Sequence, residues 1–311
     1  MKINTYDNKL MFYKVEFDST AVSHREAGRQ YAQALVEILP QFESHMDGFL
    51  KQTLEEAHMT FDQALQYADA LKDNIPTEYM DEIEGMGSVF CYHSDEVGNG
   101  RLSPNKIFVL SIFEDVTDYS GCSASAVFGK ASATGMTIVG RNNDWNPDEE
   151  MDNWNALFIF HNGDRSSAGN GMLGELFPNN VFNRYHVFAA ALDSSFGKPL
   201  SFSQQGLRSP TADLRYAIEN SRTLADAENF IINSKYAMGT VILMADQDTA
   251  HVLEYDISRP EGQRGRIRTD TSTLIDGVTW DLPGGHSQRK QLSAPRKFGQ
   301  SHRRSSQYAE V

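Results

Sequence analysis

The fold class legible in this sequence is α+β, with helices packed on antiparallel sheets. Three observations carry it. Residues 20–113 follow a helical period almost throughout. Short β-prone runs separated by turn residues begin at Gly121. A further pair of helical segments over 209–234 stands between groups of strands, where a parallel doubly wound sheet would alternate strand and helix one for one.

The first helical segment places Ala27, Tyr31, Leu35, Ile38 and Leu39 on one face, and Pro40 ends or kinks it. A second runs through Phe61, Leu65, Ala68 and Leu71 with Thr60 as N-cap. A third carries Tyr79, Met80, Ile83 and Met86. A fourth opens at Ser103-Pro104, a cap followed by the favoured first-turn proline, and runs through Ile107 and Leu110. From Gly121 the pattern becomes strand-like. Ser123 to Phe128 and Met136 to Gly140, split by Gly129-Lys130 and Gly135, read as a hairpin. Ala156 to Phe160 follows, ending in the turn His161-Asn162-Gly163-Asp164. Val187 to Leu192 is a buried-strand candidate, and Thr223 caps a helix over Leu224 to Ile232. Gly239 to Ala245 and Ala250 to Tyr255 form a second hairpin around Asp246-Gln247-Asp248-Thr249.

Bulk properties narrow the function. The chain of 311 residues carries a net charge of −14 and is 40% hydrophobic, enough for a sizeable core. That sign opposes binding to nucleic acid or to an anionic membrane surface, both of which call for a basic face. The first twenty residues contain no apolar run with a small-residue cleavage site, and no stretch approaches the ~20 apolar residues of a membrane span. The expectation is a cytoplasmic enzyme of a small molecule, with no cofactor and no metal. Both cysteines are then expected as thiols, Cys91 as a small buried residue and Cys122 as something else. The segment from Pro283 to Val311 holds six Lys/Arg against the single acid Glu310, and without it the remainder carries −19. This reversal of sign with loss of pattern reads as a disordered or foreign tail.

The chemistry concentrates in Tyr119-Ser120-Gly121-Cys122-Ser123-Ala124 and Gly140-Arg141-Asn142-Asn143-Asp144-Trp145. A thiolate is a strong nucleophile near neutral pH, but free cysteine is mostly protonated there. None of the nine histidines lies in these segments to activate it. A cysteine exposed as a new chain terminus has its own α-amine as base, titrating at roughly 7.7–8.0. Gly121, lacking Cβ, suits the strained backbone in which the thiol attacks the preceding carbonyl. Asp144 would then hold the amine, and Arg141 would depress the thiol pKa or bind the polar end of the acyl group. On residue chemistry alone, an ion pair at a surface turn explains Arg141 and Asp144 as well.

Gly121-Cys122-Ser123, the hairpin and Gly140 to Trp145 resemble the linear-amide branch of the N-terminal-nucleophile hydrolases. That branch includes the choloylglycine hydrolases, penicillin V acylases and acyl-CoA:6-aminopenicillanate acyltransferases. Upstream, His24-Arg25-Glu26-Ala27-Gly28-Arg29-Gln30-Tyr31 and Asp81-Glu82-Ile83-Glu84-Gly85-Met86 resemble the helical leader of the acyltransferase-like group. Leu243-Met244-Ala245-Asp246 in the second hairpin is also similar, so the likeness spans about residues 20–256. The resemblance implies a four-layer αββα sandwich with two antiparallel sheets. Ahead of the basic tail (283–311), it divides the chain into a helical leader (1–121) and a catalytic core (122–282). It further implies cleavage between Gly121 and Cys122, catalytic roles for Cys122, Arg141 and Asp144, and a thioester on Cys122 in hydrolysis of a linear amide. An acyl-CoA-dependent N-acyltransferase on the same fold is the alternative within enzymes, with acyl-CoA as its partner. Association of several copies stays open.

The sequence departs from the family in three places. Where members supply an oxyanion-hole or amine-orienting asparagine near the strand Val187–Leu192, the nearest match is Asp193, whose carboxylate would repel an oxyanion. Asn183 and Asn142 are the neighbouring candidates for an oxyanion or substrate contact. The Thr-Asn-His motif expected after the second hairpin has no counterpart in Asp270 to Trp280, and patterned sequence stops near Leu282. Loss of one such donor costs about 2.7–4 kcal/mol of transition-state stabilisation, so a catalytically inactive binding protein is the alternative outside enzymes.

Other motifs fail on context. Gly169 to Gly174 matches G-x-G-x-x-G, yet the strand and helix of a dinucleotide site are not indicated around it. Asp144 to Asp148 begins like a calcium loop but has Glu149 where glycine belongs and Asn155 where glutamate belongs. Cys91-Tyr92-His93 is too small a set for zinc, and no G-x-S-x-G elbow is present.

Overall fold

The structure, a computed structural model, describes residues 2–7, 12–117, 122–143, 151–193 and 202–272. It is a mixed α/β protein with one large sheet and, among the described residues, eight helices. Strands β1 (Lys2–Asp7) and β2 (Phe12–Asp18) precede α1 (His24–Ile38), α2 (Phe42–Glu56), α3 (Phe61–Lys72), α4 (Thr77–Gly87), α5 (Pro104–Ser111) and the short α6 (Glu114–Thr117). The hairpin β3 (Ser123–Val127) and β4 (Ile138–Asn142) comes next. Then follow β5 (Asn155–His161), β6 (Ser167–Met172), β7 (Asn180–Asn183), β8 (Phe188–Asp193), α7 (Pro210–Asn220), α8 (Leu224–Ile232), β9 (Thr240–Ala245), β10 (Ala250–Tyr255) and β11 (Gly265–Arg268).

Local chemistry sets the helix starts. Ser23 accepts from the Glu26 amide, and Thr60 with Gln63 and Thr223 with Asp226 close capping boxes. Ser103 caps α5 ahead of Pro104, and α1 stops at Ile38, before Pro40. The helices gather on one face of a nine-stranded sheet ordered β1-β2-β5-β6-β7-β8-β9-β10-β11. Every neighbouring pair in it is antiparallel except β2–β5, which is parallel. The sheet is therefore mixed, a departure from purely antiparallel pairing. β2 reaches β5 only after the whole helical segment and the β3–β4 hairpin, and parallel neighbours require a long crossover of that kind. The terminal β1–β2 hairpin thus ties the leader into the same sheet as β5 to β11.

The two leader stretches that stand out in the sequence meet each other in α1 and α4. A Cβ at Gly28 would lie 2.0 Å from the Glu82 carbonyl oxygen, and one at Gly85 would lie 1.9 Å from that of Arg25. The helices touch backbone to backbone, which only glycine permits. Gly28→Ala is expected to cost about 1–3 kcal/mol, because the pair must separate or distort. Gly48 in α2 is the contrast, since a Cβ added there would have nothing within 4 Å. Gly48→Ala should stabilise by ~0.5–1 kcal/mol. Urea unfolding of the two variants checks both signs.

On the opposite face of the sheet sits the β3–β4 hairpin. Its inner residues Ala124, Ala126, Phe128 and Val139 pack with Cys122 against Leu192, Val241, Leu243, Ala245, Ala250 and Val252 of β8, β9 and β10. The Thr137 amide donates to the Gln247 carbonyl at 2.8 Å and anchors the hairpin to the β9–β10 turn. No helix among the described residues is long and apolar enough to cross a membrane.

Candidate active site

Cys122 immediately precedes β3, and the register of the hairpin decides what faces it. Ser123 pairs with Asn142 and Ala124 with Arg141. Side chains alternate along a strand, so Cys122, Ala124 and Ala126 share the inner face with Val139, Arg141 and Asn143. Two of these hold the thiol. Arg141 Nη2 donates to Cys122 Sγ at 3.2 Å, and the thiol donates to Asn143 Oδ1 at 3.3 Å. The sequence points to Arg141 and to Asn142, but the register puts Asn143 beside the thiol and Asn142 on the other face of the hairpin. Period-two counting from Arg141 would have found Asn143.

Arg141 is itself fixed. Its Nε and Nη2 donate to the Ala191 carbonyl at 3.3 and 3.1 Å. The Ala191 amide donates to the Asn179 carbonyl at 2.9 Å, and the Asn179 side-chain amide donates to Glu114 Oε1 at 2.9 Å. A connected path therefore runs from α6 through the edge of β8 to the half-buried guanidinium and the sulfur. Removing solvent around that cation strengthens its pull on a thiolate.

Acidic groups surround the same region. Burial raises the Glu114 carboxyl, against the opposing effects of the Asn179 hydrogen bond and the Arg141 charge. Burial pushes Glu175 up to about 8, the Glu114 charge adds to the shift, and the Met172 amide and Arg141 oppose it. Asp115 is raised to about 7, again by burial first, although Ser209 and Thr211 donate to it. A carboxyl with a raised folded pKa keeps a proton that the unfolded chain releases. Its contribution to stability is present below the ordinary carboxylate range and is lost as pH rises through about 7. Asp115→Asn should accordingly flatten the decline in stability between pH 5 and 8 by roughly 2–3 kcal/mol, read from urea midpoints at the two pH values.

Asn183 points to the helical face: its amide nitrogen donates to the Ile218 and Ser221 carbonyls at 2.7 and 2.8 Å, and its oxygen accepts from the Tyr185 and Val187 amides. It is a corner brace for the β7–β8 turn and stands away from the thiol. Asp193 ends β8 with its backbone opposite Thr240. Gly121, Asp144 and the basic tail lie outside the described residues. Cys91 corrects an expectation: it is exposed, its thiol donating to the Ser88 carbonyl at 3.1 Å, because it follows the buried Phe90 into the loop after α4. The segment Gly169–Met172 of the discounted nucleotide motif lies in β6, where a Cβ on Gly169 would meet the Asn180 carbonyl at 2.2 Å; strand packing explains that glycine. Among the described residues no group of three or more His, Cys, Asp or Glu is arranged to hold a metal.

A cavity of about 480 Å³ opens beside the thiol's two partners. Arg141 and Asn143 line it with Asp152, Asn155, Asn170 and Asn180, the three asparagines coming from adjacent strands, and apolar walls that include Met151, Met172 and Phe188 complete it.

No protein-family model matches the chain, and no curated protein does. Among solved structures the chain is similar to a Caenorhabditis elegans ortholog of N-acylethanolamine-hydrolyzing acid amidase, at 14% identity and a TM-score of 0.38 over 48% of this chain. It is also similar to penicillin V acylase from Agrobacterium tumefaciens, at 16% identity and a TM-score of 0.34 over 48% of this chain. The chain spans 64% and 49% of those two proteins.

Proposed function

We propose that the chain is a self-processing cysteine amidohydrolase of the N-terminal-nucleophile type, completed as an αββα sandwich, with a small linear amide as substrate. The observation that carries this reading is the placement of Cys122 Sγ at the head of β3 between Arg141 Nη2 and Asn143 Oδ1. In the first step Sγ attacks the Gly121 carbonyl and the peptide bond to Cys122 breaks, freeing the α-amine. Water then releases the Gly121 acyl group from sulfur, and the amine serves as base for the reaction that follows. It takes the thiol proton as sulfur adds to the substrate carbonyl and returns it to the departing amine, leaving a thioester. Water cleaves the thioester and regenerates the thiol. Arg141 stabilises the thiolate, and Asn143 orients it while carrying an N–H donor on the same amide. Asp144 retains its proposed role as partner of the new amine.

Intact-mass analysis tests the reading directly. Purified protein should resolve into two fragments, one ending at Gly121 and one beginning at Cys122, and Cys122→Ala should run as one uncut chain. A single full-length species from unmutated protein after prolonged incubation would overturn self-processing.

A further inference from the structure

Beside the two partners of the thiol, the cavity sets the polar side chains of Asp152, Asn155, Asn170 and Asn180 among apolar walls that include Met151, Met172 and Phe188, where a pocket for a fatty or aromatic group would be apolar throughout. From the alternation of β5, β6 and β7, Asn155, Asn170 and Asn180 project from the face of the large sheet that carries the hairpin. Asn170 stands directly opposite Asn180. The Asn180 side chain is held rigidly: its oxygen accepts from the Asn170 amide at 3.2 Å and its nitrogen donates to the Asn170 carbonyl at 3.1 Å. Asn155 Nδ2 donates to the Asp152 carbonyl at 2.8 Å, which leaves its carbonyl oxygen for a ligand. The Asn170 side-chain amide makes no hydrogen bond among the described residues and is exposed, so it offers both a donor and an acceptor.

Resting on the amidohydrolase reading, we infer that this cavity selects substrates whose acyl group carries neutral hydrogen-bonding groups, amide or hydroxyl, over fatty or aryl acyl groups. The acyl group is the part that stays on Cys122 through both half-reactions, so it is the part that a site bounded by Arg141 and Asn143 has to hold. An alkyl chain entering the cavity would strip water from the Asn170 amide and the Asn155 oxygen and return no partner. Each such loss is worth about tenfold in affinity. Amide groups set among apolar walls therefore reject an apolar acyl group that reaches them more strongly than an apolar pocket rejects a polar one. Asn155 and Asn170 are the specificity-determining residues.

The test compares octanoyl, N-acetylglutaminyl and gluconoyl amides of one fluorogenic amine with the full chain. The two polar amides should exceed the octanoyl amide at least tenfold in kcat/KM, and their order identifies amide or hydroxyl as the preferred group. Asn170→Leu and, separately, Asn155→Leu should each reduce that ratio at least fivefold; both positions are exposed on strands, so either variant suffices if the other fails to fold. A preference for octanoyl, or a ratio unchanged in both variants, overturns the inference. Binding of N-acetylglutamine amide, gluconamide and octanamide to Cys122→Ala, measured by calorimetry, separates the two proposals. Polar preference with dependence on Asn170, in a protein that turns over none of the three fluorogenic amides, upholds the cavity's selectivity and removes the hydrolase. Absence of any polar preference in binding removes the selectivity itself.

Discussion

Glu82→Leu is expected to destabilise the fold by about 3–5 kcal/mol, the cost of stranding a buried charge. Arg215 of α7 is 2% exposed, and its Nη1 and Nη2 donate to the two Glu82 oxygens at 2.6 and 3.1 Å. Its Nε donates to Glu219 Oε1 at 2.7 Å, and the guanidinium lies 3.7 Å from the centre of the Phe160 ring. Tyr79 and Ser167 donate to the same Glu219. One cation thus joins α4, α7 and the sheet, and removal of Glu82 leaves it with a single counterion in an apolar setting. Arg215→Leu combined with Glu82→Leu should cost less than the sum of the singles, since both singles lose the same pairing, while Glu219 stays buried without its cation in the double variant. His24 supplies an independent readout. Its Nδ1 lies 2.7 Å from Glu82 Oε1, and that hydrogen bond raises the imidazole pKa despite partial burial. A raised folded pKa contributes stability below the ordinary histidine range and loses it as pH rises through the folded value. In Glu82→Leu the His24 titration, followed by NMR, should move back toward the ordinary value. An unchanged His24 titration would contradict the pairing.

Arg141→Leu is expected to cut thiol reactivity at Cys122 by roughly ten- to a hundredfold near neutral pH, the worth of one charge-assisted hydrogen bond to a thiolate. The rate of alkylation by iodoacetamide against pH should shift to the alkaline side, with the same limiting rate at high pH. Cys91, exposed with its thiol on the Ser88 carbonyl, reports in the same protein on general accessibility and should not change. Asn143→Leu removes an acceptor from the neutral thiol and leaves the cation in place, so it should slow catalysis with little shift of the alkylation profile. If Arg141→Leu and Asn143→Leu shifted the profile equally, the guanidinium would not be the group that stabilises the thiolate.

Much of this site is legible in the sequence because its decisive geometry is local. Cys122 and Arg141 belong to two strands joined by a short connection, and alternation along those strands puts both on one face. The same rule puts Asn143 there. Helices α1, α3, α4, α5, α7 and α8 are visible from their caps and periodic faces for the same reason. Short strands without alternation are not: β6 is Ser-Ala-Gly-Asn-Gly-Met, and its glycines are there for close packing on β7 and on the Glu175 side chain.

Six of the helices, the hairpins β3–β4 and β9–β10, the strands β5 and β8, and the cationic partner of Cys122 are thus legible in the amino-acid sequence. Each depends on residues a few positions apart, where capping, turn formation and the two periodicities act. The folded molecule alone decided the parallel entry of β2 beside β5, the glycine contact of α1 with α4, the burial of Arg215 between two glutamates, and the gathering of Asn155, Asn170 and Asn180 in one cavity. Those arrangements join segments far apart in the chain, and pairing across such distances depends on which faces of the folded sheet and helices come together.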